Sequence, residues 1–136
     1  MKQILPIIFL MSLAYAGDID DLIPSLIQVE SQGSDKAIGD NGKAFGCLQI
    51  WEVVIKDVNR VYKTNYKHSD MMFRYPSCEV CFLYLKFWGN QYTKKTGKKA
   101  SLEVLSKIWN GGPNGWKKEA TEKYWKKVLD VRNKPL

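Results

Sequence analysis

Glu30 is the residue whose position asks for chemistry. Ile19, Leu22, Ile23, Leu26 and Ile27 recur at the i, i+3, i+4, i+7, i+8 spacing of one helical face. The next step of that stripe is Glu30, so the phase puts a carboxyl inward at the last turn of an apolar face. A helix-end Glu ordinarily turns to solvent; the phase argues against that here. Burial raises a carboxyl pKa because the charged form loses its hydration. A buried Glu30 can therefore keep its proton near neutral pH and act as a general acid. Asp40 sits in Gly39-Asp40-Asn41-Gly42, a tight-turn sequence. In an exposed turn it would stay ionised and could serve as nucleophile, base or electrostatic stabiliser. Bonding its own backbone is an equally ordinary use of an Asp there. A protonated and an ionised carboxyl side by side suit glycosidic-bond cleavage. One protonates the leaving oxygen, and the other supports the oxocarbenium-like centre or a water.

Other chemistries have less support. The single histidine, His68, lies in a loop with no nucleophile motif, and the glycines of 39–46 fit neither a Walker loop nor a dinucleotide fingerprint. There are three cysteines. Cys78 and Cys81 fall on one helix, a poor geometry for bonding each other, so Cys47 with either of them is the favoured pairing. A zinc or redox role for Cys78 and Cys81 lacks a second ligand pair. Neither a metal nor a cofactor is expected.

The elements that must position the two carboxyls follow from periodicity and punctuation. A first helix runs from about Asp18 to Gln32, with Asp18, Asp20 and Asp21 at its start, where the helix dipole favours them. Pro24 is tolerated near that start, and Gly33 ends the helix. Lys36–Ile38 and Lys43–Phe45 form a small hairpin around the Asp40 turn. A second helix begins at Leu48 or Ile50 and carries Val53, Val54, Val58 and Val61 in phase. Residues 63–76 are irregular, and Ser77 to about Tyr92 forms the longest helix. Lys94–Lys99 reads as a basic loop. Ser101 caps a helix over Leu102–Trp109, residues 110–115 turn sharply, and Thr121 caps a last helix. The fold class is α+β, mostly α, with a small β-hairpin between the first two helices.

The chain has 136 residues, 45% of them hydrophobic and 26% charged, which fits one globular domain and excludes collagen, coiled coil and wholesale disorder. Residues 1–16, MKQILPIIFLMSLAYA, read as a secretory signal peptide: a basic residue, an apolar run and a small-x-small end at Ala14-Tyr15-Ala16. Cleavage after Ala16 would leave residues 17–136 as the working domain. It would also remove Lys2, taking the formal charge from +7 to +6. No second apolar segment approaches the ~20 residues of a membrane span. A secreted, extracellular protein of this charge suits an anionic cell-surface polymer rather than nucleic acid.

Three blocks, taken in order, carry a family resemblance. They are Val29-Glu30-Ser31-x-Gly33, then Gly39-Asp40-x-Gly42-x-Ala44-x-Gly46-Cys47-Leu48-Gln49-Ile50, then Ile108-Trp109-Asn110-Gly111-Gly112-Pro113-Asn114-Gly115 followed by Thr121, Tyr124, Trp125 and Val128. This set resembles the lysozyme superfamily, both the invertebrate-type (destabilase) lysozymes and the soluble lytic transglycosylases. The last block is similar to the invertebrate type in particular. The resemblance implies a lysozyme-like fold with Glu30 as general acid and Asp40 as second carboxylate. It places Gln49, Asn110 and Gly111 along the saccharide cleft, with Trp109 and Tyr124 also at the substrate. Of Trp51, Tyr75, Trp109 and Trp116, one or two should face that cleft. The implied activity is a secreted, monomeric, antibacterial or digestive muramidase acting on peptidoglycan. A lytic transglycosylase or a non-catalytic cationic wall-binding protein are the alternatives. The chain departs from the invertebrate type in its few cysteines and in having Trp109 where that family has His, which argues against the isopeptidase activity credited to some members.

Overall fold

The apolar stripe of the first helix becomes the centre of the core. Ile19, Leu22 and Leu26 are wholly buried, together with Leu48, Leu85, Leu105 and Val128 from later elements. The computed structural model describes the backbone of residues 5–135 and the side chains of 17–135. The leader expected over 1–16 thus lies outside the described side chains. Helix α1 spans Leu5–Ser31, β1 Ile38–Gly39, β2 Ala44–Phe45, α2 Glu52–Tyr62, α3 Arg74–Thr96, α4 Leu102–Gly111 and α5 Glu122–Asn133. α1 packs against α3, α4 and α5, and α2 packs on α3. β1 and β2 form one antiparallel pair, with Ile38 opposite Phe45 and Gly39 opposite Ala44. The class is α+β, mostly helical, with the small sheet between α1 and α2. Among the described residues no helix is long and apolar enough to cross a membrane.

Several boundaries differ from expectation, each for a tertiary reason. α1 begins at Leu5, so Pro24 is interior and lies on the exposed side. The acids expected at the helix start are instead partnered elsewhere, Asp18 with Lys99 and Asp21 with Arg132, each at 2.7 Å. α2 starts only at Glu52 because Ile50 is held in extended pairing with Phe45, through bonds of 2.9 and 3.1 Å. α3 starts at Arg74, since Pro76 fits a first helical turn. It continues through Lys94 and Lys95 to Gly97, whose φ of 75° closes it. Ser101 caps α4 as expected, its hydroxyl accepting from the Val104 N–H at 3.1 Å. Thr121 makes no such cap. Its hydroxyl donates inward to the carbonyls of Gly115 and Lys118, both at 2.8 Å.

All three cysteines are free thiols. The expected bond from Cys47 to Cys78 or Cys81 is therefore not formed. Cys81 is buried in the core.

Candidate active site

Glu30 and Asp40 line one cavity of about 240 Å³. Glu30 arrives on the last turn of α1, held inward by the apolar phase of that helix. Behind it, Tyr124 of α5 donates its hydroxyl to Glu30 Oε2 at 2.8 Å, and the nearby Trp109 indole also favours the charged carboxyl. Burial is the largest influence on this group and raises its pKa to about 7. The Tyr124 bond favours the charged form and opposes burial. The negative charge of Asp40 adds to the upward shift, while the Trp109 indole and distant Lys127 act downward. Desolvation wins because both nearby donors are neutral. The Tyr124 hydroxyl is itself pushed far up by burial and by Glu30, so it remains a proton donor.

Asp40 is exposed and reaches the cavity from the turn between the strands. Asp40, Asn41 and Gly42 all take left-handed backbone angles, with φ of 49°, 57° and 85°. Asp, Asn and Gly are the residues that tolerate this region best. The Asp40 carboxylate does not turn back on its own backbone. It accepts the indole N–H of Trp51 at 3.0 Å. The turn geometry is therefore carried by the main chain, and the side chain is left at the cavity.

Gln49 lines the cavity but also braces it. Its φ is 51°, and its amide N–H group donates to the carbonyls of Gly46 at 3.0 Å and Ala37 at 3.2 Å. Its Oε1 occupies the space above Gly39, where a Cβ would lie only 2.2 Å away. Asn110 also lines the cavity, joined by Gly112 rather than Gly111. Gly111 faces Thr121, whose methyl would be 2.6 Å from any Cβ there. Tyr124 is buried and touches Glu30 rather than open space. Of the four aromatics proposed to stack on sugars, Trp51 and Trp109 line the cavity. Tyr75 is 78% exposed and stands away from it, and Trp116 lines a different cavity.

Sequence reasoning missed Tyr84, which lines the cavity from α3 and packs edge-on against Trp109 at 5.8 Å between ring centroids. The i+3 step from Cys81 signals Tyr84 only as one more core residue. Val53 and Val54, placed in the helical phase of α2, both border the cavity, and Val53 is largely exposed. The result is a cleft lined by a protonatable acid, an exposed carboxylate and two indoles. That arrangement can deliver a proton to an oxygen while a negative charge faces the adjoining carbon. No family model matches the chain, and neither a curated protein nor a solved structure shows significant similarity to it.

Proposed function

We propose that this protein is a secreted muramidase that hydrolyses the β-1,4 bond between N-acetylmuramic acid and N-acetylglucosamine in bacterial peptidoglycan, within a lysozyme-like fold. The observation that carries the reading is Glu30: a buried carboxyl with a pKa of about 7, facing Asp40 across an open cavity. Glu30 donates its proton to the glycosidic oxygen as the bond to the anomeric carbon breaks, and that oxygen leaves with the electron pair. Asp40 stabilises the positive charge developing at the anomeric carbon or directs a water to it. The ionised Glu30 recovers a proton from the incoming water. Trp51 and Trp109 offer ring faces to the sugars. The ordered resemblance through residues 29–128 and the formal charge, +6 once Lys2 leaves with the leader, support an anionic wall polymer as substrate.

Mass spectrometry of peptidoglycan digested by the wild-type chain and by Glu30→Gln tests this. Reducing-end muropeptides from the wild type and none from the variant are expected. Exclusively 1,6-anhydro products would replace hydrolysis by lytic transglycosylation, which needs Glu30 alone. Undiminished lysis and muropeptide release by Glu30→Gln would overturn catalysis at this site and leave a cationic wall-binding protein.

A further inference from the structure

A second cavity, of about 620 Å³, opens between the last turns of α3 and the loop after α4. Trp88, Tyr92 and Trp116 give it ring surface, and Lys94 and Lys95 give it charge. The rings are held in place. Trp116 packs edge-on against Tyr92 at 4.9 Å, and the Trp88 indole donates to Asp57 at 2.6 Å. Tyr84 packs against one ring of each cavity. Its ring meets Trp109 of the cleft at 5.8 Å and Trp88 of the second cavity at 6.5 Å.

The lysines here stand against their own electrostatic interest. The Lys117 ammonium sits 5.0 Å from the centre of the Trp116 ring. The positive charge of Lys95, which lines the cavity, holds Lys117 below its ordinary pKa. No acidic residue lines the cavity. Among the described residues no ion pair uses Lys94, Lys95 or Lys117. Ammonium groups gathered beside one cavity without an internal counter-ion are relieved by an anion from solution. Ordered rings beside them offer the apolar face of a sugar a stacking surface.

We infer that this cavity is a second saccharide site, separate from the Glu30 cleft, that takes an anionic sugar: a pyranose ring stacks on Trp116 while its carboxylate or phosphate lies between Lys95 and Lys117. The inference does not require turnover at Glu30.

The indole N–H signals of an NMR titration read it directly, because Trp88 and Trp116 report on this cavity while Trp51 and Trp109 report on the cleft. The probes are muramyl dipeptide, which brings one carboxylate, N-acetylglucosamine 1-phosphate, which brings a phosphate, and neutral N,N'-diacetylchitobiose. An anionic probe is expected to move the Trp116 signal where diacetylchitobiose at equal concentration does not. Response to one anion alone assigns the anionic group. In the Lys95→Ala/Lys117→Ala double variant the anion should bind about tenfold more weakly or worse, the loss expected for charge-assisted contacts. Both lysines are exposed, so the variant should fold. The inference is overturned if neither anion moves Trp116, if diacetylchitobiose moves it equally, or if the double variant binds as tightly as the wild type. Glu30→Gln should keep the Trp116 response whether or not it keeps turnover, so this inference and the muramidase reading fail separately.

Discussion

Replacing Glu30 with Gln should stabilise the folded protein at neutral and alkaline pH. The carboxyl has a pKa of about 7 in the folded chain against an ordinary value of 4.5. Between those values the folded state holds a proton that the unfolded state has released. Stability attributable to Glu30 is therefore fully present below about pH 4, falls as pH rises through the window from 4.5 to about 7, and is flat above it. Each pK unit corresponds to about 1.4 kcal/mol, so the loss across the window is about 3 kcal/mol. Gln keeps the shape and an acceptor for Tyr124, but carries no charge to desolvate. The variant should equal or exceed the wild type most clearly at about pH 8, by about 3 kcal/mol or roughly 10 °C in Tm.

Chemical denaturation of both proteins across the pH range measures this. The informative quantity is the difference in unfolding free energy between variant and wild type. Taking the difference cancels every contribution that the two proteins share. The difference should grow from pH 4.5 to neutrality and then level. A pH-independent difference, or one that grows toward acid, would refute the raised pKa and with it the general-acid role of Glu30.

Two further perturbations follow from the same contacts. Tyr124→Phe removes the hydrogen bond that favours ionised Glu30, so the pKa should rise from about 7 by roughly one unit. The alkaline limb of the pH–rate profile for muropeptide release should move up with it, and an unmoved or acid-shifted limb would contradict the coupling. Gly46→Ala should destabilise the fold by about 3 kcal/mol or more, because a Cβ there would meet the Met71 carbonyl oxygen at 1.7 Å and the φ is 81°. Thermal unfolding checks this, and a change of less than about 1 kcal/mol would mean that the loop after β2 is not pressed on residues 68–72 as described.

What the sequence made legible is what local rules determine. The inward turn of Glu30 is a property of one helical stripe, and the Ser101 cap of a single residue and the N–H three positions on. The hairpin around Asp40 was readable because Asp-Asn-Gly is suited to left-handed angles. The start of α2 was not readable, since Leu48 and Ile50 have no local reason to avoid a helix. The pairing of Ile50 with Phe45 overrides their preference. The partner of Asp40 was hidden for a related reason. Trp51 reaches it only because the chain doubles back through Gly46 and Gln49, and a Gln at φ 51° leaves no compositional trace. Tyr124 could be read as core, but its meeting with Glu30 depends on how α5 docks against α1.

The distribution of charge bears on how such a site can work in a basic protein. The chain carries +7, yet the residues lining the Glu30 cavity include two acids and neither Lys nor Arg. The hydrogen bonds described to the two carboxyl groups come from neutral donors: the Tyr124 hydroxyl to Glu30, and the Trp51 indole to Asp40. A guanidinium or ammonium in any of those places would hold Glu30 ionised and remove the acid at neutral pH. Neutral donors fix the geometry while leaving desolvation to decide the protonation. The same choice makes Glu30 a burden on the fold above pH 4.5, which is why its removal should stabilise the protein. Lys94 and Lys95 stand instead at the second cavity, where a fixed positive charge can hold an anion without ionising the acid.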